Sequence, residues 1–385
     1  MILVNPKSPN PHKFKALEPP IWCGLLASDR DEIVDYEIGQ SANVNGKNIV
    51  IVVMGSNPSV SSTPKMTHAQ LLRDKFTKEG GDVYMTGLHP MATGEATFDF
   101  PDPAELASRK RAKWELMDMT KYRAHNWHCL HDIDSRDNYA ALYTSYGCPF
   151  NCSYCNIHTI YEDRKVCFRN PEDVIDEVEY LVNNYNLKNL KFCDELFALD
   201  PKHVNAICSG IKDFNLNIWA YAKVGLVTAR MLNTMKNAGV NWLCYGFESA
   251  SGMVLKASNK SYRNLWDTIN MTRDAGINIM GNFMFGLPSD TISTARETLE
   301  LAEKINCEYV NFYCAMSYPG SELYDGRNKD WDSYNQYGNL NVPEWVKVFR
   351  DNAFKEYFTR SEYLSMIQSK FGDKAVNHIH EMLGE

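Results

Sequence analysis

The chain has 385 residues, a formal net charge of −8, and 44% hydrophobic against 23% charged residues. Such a length accommodates two or three domains around large cores, and the composition is that of a globular protein rather than a disordered or fibrous one. The acidic balance argues against a nucleic-acid surface, which normally shows a basic stripe. No apolar run reaches the roughly 18 residues that a membrane helix needs.

The amino terminus, MILVNPKSPNPHKFK, has only a short apolar run before Pro and Lys. That is not the pattern of a signal peptide, so a cytoplasmic location is expected. Residues 2–5 read as a buried strand, residues 19–29 as a helix entered through Pro, and residues 48–54 as a continuous apolar strand. That strand runs into the loop Gly55-Ser56-Asn57-Pro58-Ser59. An amphipathic helix follows over residues 67–79, with Thr67 as its expected cap and Gly80 and Gly81 as its stop. Residues 82–90 read as another strand. Strand, loop, helix, strand predicts a Rossmann-like parallel sheet over residues 1–105, with ligands outside the carboxyl ends of its strands.

Residues 106–138 read as a connector rich in Trp and His. Its one compact basic run, Ser108 to Lys113, is read as a solvated helix face. Its His125, His128, Cys129 and His131 are open to two readings, packing or a second metal site.

From residue 139 the pattern alternates. Strands are predicted at 139–146, 187–195, 216–224, 240–249, 277–286 and 307–317, with helices between them. The clearest helix starts at the cap Asn170 with Pro171 in its first turn. Six such units predict a partial (β/α)6 TIM-like barrel over residues 139–325, with its chemistry at the carboxyl ends of the strands. A helical region over 326–385 completes an α/β fold.

Directly after the first barrel strand stands SYGCPFNCSYCN, with Cys148, Cys152 and Cys155 spaced C-x3-C-x2-C. Three thiols leave one over from a disulfide pair, in a compartment expected to be reducing. Two readings remain. One is a structural zinc completed by His158. The other is an iron–sulfur cluster on three thiolates, with one iron left open. Cys23, Cys167, Cys193, Cys208, Cys244, Cys307 and Cys314 read as small core residues.

The cysteine spacing, with aromatic Tyr154 before the last thiol, resembles the signature of the radical S-adenosylmethionine (SAM) enzymes. The stretches KFCDELF, YGFESAS, MFGLPSD and SYPGSELY are similar to the branch whose members carry an N-terminal cobalamin-binding domain. PPIWCGLLA, GSNPS and GLHP resemble that domain. One departure is clear: the Asp-x-His-x-x-Gly pattern that ligates cobalt is missing, and His68 and His89 lie in the wrong context for it.

The resemblance implies a 4Fe-4S cluster on Cys148, Cys152 and Cys155. It also implies SAM, cleaved to a 5′-deoxyadenosyl radical, cobalamin, and a reductant such as flavodoxin or ferredoxin. Tyr154 resembles the aromatic whose backbone approaches the adenine. Asp194 and Glu195 suit the SAM ammonium or ribose, with a helix cap as the plain alternative for Asp194. Lys223 suits the SAM carboxylate or a rim ion pair. Glu248 and Ser249 resemble the SAM-contacting pair, and Asn282 suits a ligand hydrogen bond or a core amide. Ser56, Asn57 and Ser61 suit the corrin or its nucleotide tail, or an ordinary loop. The implied reaction is C-methylation of an unidentified substrate. A cobalt-free oxidation, rearrangement or cyclisation stands beside it, as does the non-catalytic zinc protein. The acidic balance speaks against a tRNA-thiolating enzyme.

Overall fold

The computed structural model describes residues 1–161, 163–334 and 342–384. Its first sheet is parallel, in the order β2-β1-β3-β4, from β1 (Ile2–Asn5), β2 (Glu32–Asp35), β3 (Asn48–Val52) and β4 (Asp82–Thr86). β1 is buried at every position and β3 at four of five, because helices cover both faces. The strand order reverses between β1 and β3. The carboxyl ends of these two strands therefore splay apart, and a crevice opens there.

The helix after β3 spans Met66–Lys78, and Thr67 sits inside its first turn rather than capping it. Gly80 stops it at φ +83. β4 ends before Gly87, where φ is +110 and a Cβ would meet the Val53 carbonyl at 2.8 Å, so only glycine admits the turn into Leu88–Thr93. The basic run at 109–113 lies beyond the helix Pro103–Ser108 and is not helical. Its side chains are spent locally: Arg111 pairs with Glu115 and lies over the Tyr180 ring, and Lys113 pairs with Asp29.

The second sheet holds all six expected barrel strands. They are β5 (Tyr139–Leu142), β8 (Asn189–Phe192), β9 (Asn217–Ala222), β10 (Val240–Glu248), β11 (Asn278–Phe285) and β12 (Tyr309–Cys314). Every pairing is parallel, in the order β12-β11-β10-β9-β8-β5. Among the described residues β5 and β12 do not pair, so the barrel is open on one side. The stretch read as one strand over 139–146 is broken. β6 (Ser145–Tyr146) turns away to pair antiparallel with β7 (Cys167–Phe168). The break lies at Thr144, whose N–H and hydroxyl both donate to the Asp194 carboxylate, at 2.6 and 2.5 Å.

Helices Glu344–Phe358, Ser361–Phe371 and Asp373–Leu383 pack on the far edge and the bottom of the barrel. Tyr357 and Tyr363 donate to the carbonyls of Cys307 and Glu308, and Phe371 stacks on Trp242. Among the described residues no helix is long and apolar enough to cross a membrane.

The N-terminal sheet closes the open side of the barrel. Lys191 of β8 has no exposed side-chain surface and donates to both oxygens of Glu18, at 2.8 and 3.1 Å, and to the Ser56 hydroxyl at 3.0 Å. Tyr139 donates to Glu18 and Tyr143 to the Ser56 carbonyl. Trp22 donates to the Gly55 carbonyl at 3.1 Å. Burial alone would raise the Glu18 carboxyl; the Lys191 ammonium and His125 outweigh it and hold it well below the usual range. Removing one partner strands the other charge. Glu18→Gln is expected to cost about 3 kcal/mol in urea unfolding, and Glu18→Gln with Lys191→Met is expected to recover part of that loss.

Candidate functional site

The carboxyl ends of the barrel strands surround a cavity of about 300 Å³. Cys148, Cys152 and Cys155 all stand in its wall, together with Tyr154, Glu195, Lys223, Glu248, Asn282 and Asn57. The loop that carries the thiols is specified locally. Gly147 takes φ +109 with Lys165 O 2.1 Å from where a Cβ would be, so the chain turns tightly out of β6. Cys155 N–H closes on Cys152 O at 3.0 Å. Two outer segments clamp the loop: Ser153 N–H donates to Ser258 O, and Asn156 donates to Pro319 O at 2.8 Å.

The thiols suit a cluster. Backbone N–H groups of Phe150 and Ile157 donate to the sulfurs of Cys148 and Cys155. The Ser59 hydroxyl lies 3.5 Å from Cys155 Sγ. Burial pushes the free thiols up, Cys148 to about 11 and Cys155 to about 12, so iron must displace their protons on loading. The zinc reading loses its fourth ligand. His158 Nε2 is held by Phe150 O at 2.7 Å and Nδ1 faces Tyr161 O at 3.4 Å. Among the described residues no group of His, Cys, Asp or Glu closes on a single ion.

Glu248 and Lys260 form the charged centre of the opposite wall. Lys260 Nζ lies 2.7 Å from Glu248 Oε1, with both side chains under one-tenth exposed. Tyr154 donates to the same oxygen at 3.2 Å. Glu248 takes φ +60 at a bulge where the β10–β11 register shifts, a strained position for a non-glycine residue. A Cβ on Gly246 would meet Glu248 Oε1 at 2.3 Å, so the glycine makes room for the pair. Sequence reasoning missed Lys260. It lies in the polar loop after the short helix Gly252–Ala257, with no spacing signal to tie it to Glu248.

Asp194 and Glu195 part company. Asp194 is buried and accepts from Thr144 and Ser145, so it is the bracket at the strand break and does not line the cavity. Nor does it cap a helix, as the plain alternative had it; Asp200 caps the next one. Glu195 faces the cavity. Burial, reinforced by Asp194 and opposed by Lys191, raises its carboxyl to about 7.

The remaining expected residues divide similarly. Lys223 donates to Ser261 O at 2.7 Å and lies over the Phe150 ring, in the cavity wall rather than in a rim ion pair. Asn282 donates to Cys244 Sγ and accepts from Asn311 and Tyr313, so its amide is already occupied. Ser249 is buried on Thr298 and supports the backbone after β10. Cys193 and Cys314 are buried in the core, as read, and also reach the cavity wall.

A second cavity of about 740 Å³ lies outside the carboxyl ends of β1 and β3. It is lined by Asn5, Glu18, Gly55, Ser56, Ser61 and Lys65, and it shares Asn57 and Val60 with the first. Its size is in the upper range for cofactor sites. Ser61 donates to Asn57 O at 2.5 Å and Ser56 is held by Lys191, so both shape the loop. Lys65 bonds Asn5 and pairs with Glu37 on the cavity wall. Amides, lysines and hydroxyls here suit a large ligand with amide and phosphate groups. His68 and His89 do not line this cavity: His68 accepts from Lys7 N–H, and His89 is buried on Thr63 and Trp331. The His cluster of the connector is not assembled. His128 lies buried against Asn217 O, and His125 faces Glu18.

Residues 142–302 match the family model described as the radical SAM superfamily. An uncharacterized methyltransferase of Pyrococcus horikoshii is 25% identical over 81% of this chain and 70% of its own length. The bacteriochlorophyllide d C-8(2)-methyltransferase of Chlorobaculum tepidum is 23% identical over 82% and 75%. Among solved structures, the radical SAM methyltransferase TsrM of Kitasatospora setae, with cobalamin and a 4Fe-4S cluster bound, superposes with a TM-score of 0.64. It covers 84% of this chain and 76% of its own at 15% identity, a likeness of fold.

Two outcomes are expected. Lys260→Met leaves Glu248 buried, strained and unpaired, and should lower stability by about 3 kcal/mol in urea, with Lys260→Arg largely restoring it. Glu195 ionises later in the folded chain than in the unfolded one, so stability falls as pH rises from about 4.5 towards 7. Glu195→Gln should therefore raise the melting temperature at pH 8, with the gain shrinking towards pH 5.

Proposed function

The chain carries a radical SAM domain, and on that premise we propose that it methylates an unactivated carbon of its substrate with cobalamin as methyl carrier. The observation that carries this reading is the pair of cavities meeting at Asn57 and Val60. One is ringed by three thiols at the barrel mouth; the other lies at the switch point of a Rossmann-like sheet. The methyltransferase relatives support the same reading. When bound, the cluster with SAM supplies a 5′-deoxyadenosyl radical and methylcobalamin supplies the methyl group.

Cys148, Cys152 and Cys155 hold the cluster and leave one position without a protein ligand, since His158 is engaged elsewhere. The Glu248 carboxylate and Lys260 ammonium offer opposite charges to the ammonium and carboxylate of SAM. Tyr221, Tyr313, Met284 and Met316 make the cavity wall apolar and limit water around a reactive radical. Asn57 and the remaining N–H donors of Asn5 and Lys65, which already bond Asp35, Glu37 and each other, would face the amides and phosphate of cobalamin in the larger cavity. Lacking a cobalt-ligating His in the expected motif, the chain is read as holding cobalamin by its periphery. A low-potential flavodoxin or ferredoxin is the reductant in this reading.

The test is elemental analysis of protein expressed with iron and cobalamin and purified without oxygen. About four irons and about one cobalt per chain are expected. A Cys148/Cys152/Cys155 triple Ala variant should lose the iron and keep the cobalt. Iron without cobalt would move the assignment to a radical oxidation, rearrangement or cyclisation. Stoichiometric zinc with no iron after reconstitution would overturn it.

A further inference from the structure

The turn Asn57–Val60 belongs to the N-terminal sheet, yet all four of its residues line the cysteine cavity. Its approach is enforced. The Gly55 carbonyl is held by Trp22, the Ser56 carbonyl by Tyr143 and the Ser56 hydroxyl by Lys191 from inside the barrel. Pro58 opens the short helix Pro58–Ser61 that carries Ser59 and Val60, and it restricts the backbone further. The result is the Ser59 hydroxyl 3.5 Å from Cys155 Sγ, a contact between residues 96 apart in the chain. With a free thiol either atom can donate. With a cluster in place Cys155 is a thiolate without a proton, so the Ser59 O–H must be the donor.

A hydrogen bond to a ligating sulfur withdraws electron density from the cluster and favours its reduced, more negative state. We propose that Ser59 is a positioning residue of the N-terminal domain that donates to the Cys155 thiolate and raises the reduction potential of the cluster. The proposal rests on the cluster reading above. It gives the N-terminal domain a role towards the iron site that is independent of any cobalamin it binds. The same turn also lines the larger cavity through Asn57 and Val60.

The experiment is a redox titration of the reconstituted full chain, followed by the electron paramagnetic resonance signal of the reduced cluster, in wild type, Ser59→Ala and Ser59→Thr. Ser59→Ala is expected to keep its iron and move the midpoint to a more negative potential. The ratio of reduced to oxidised cluster at a fixed poise should fall about tenfold, or ~59 mV for one electron. Ser59→Thr keeps the hydroxyl and should restore the wild-type midpoint. An unchanged midpoint in Ser59→Ala would overturn the proposal. So would loss of iron in that variant, because the hydroxyl would then hold the loop rather than tune the cluster. Failure of the cluster reading itself would show separately, as wild-type protein that takes up no iron.

Discussion

An ammonium buried inside an open barrel dictates how the two sheets of this protein meet. Lys191 points into the barrel with no exposed surface, where an uncompensated charge is expensive. Its counter-charge, Glu18, and its third partner, Ser56, both come from the N-terminal part of the chain. The six-stranded sheet alone leaves β5 and β12 unpaired and Lys191 unsatisfied. Docking of the N-terminal part satisfies Lys191 and leaves both edges unpaired, and Tyr139, Tyr143 and Trp22 add directional hydrogen bonds that set the orientation.

The functional geometry follows from that docking. The loop after β3 hydrogen-bonds to the barrel through Ser56 and so becomes the shared wall of two cavities. The smaller cavity is apolar for most of its surface, and a low dielectric strengthens each charge inside it. Glu248 and Lys260 are therefore paired, and the ion pair holds the Glu248 carboxylate in one orientation despite its positive φ. Glu195 forms no ion pair among the described residues, and burial and Asp194 outweigh the pull of Lys191, so it holds its proton to near neutral pH.

Much of this was legible in the chain. The six barrel strands and the helix Pro171–Tyr185 were readable because apolar periodicity, caps and glycine stops are local signals. The three thiols were readable because their spacing alone brings them together in one loop. Other features were not. The break between β5 and β6 depends on Asp194, a residue 50 positions from Thr144 and 49 from Ser145. Asp194 and Glu195 carry the same chemistry at adjacent positions. Only the neighbouring strand decides that the first becomes a structural bracket and the second faces the cavity. Lys260 was missed, and Ser59 was read only as part of the loop after β3, because their partners Glu248 and Cys155 lie on other elements.

By itself, then, the sequence determined the succession of elements and the position of the three-thiol loop, both of which arise from interactions between residues close in the chain. The tertiary structure decided which carboxylates and amides remain free for a ligand, and that the switch-point turn of one sheet reaches the thiols at the mouth of the other. Those outcomes depend on burial and on long-range pairing of charges. Both are properties of the packed whole, because desolvation and Coulomb attraction act between groups that only folding brings together.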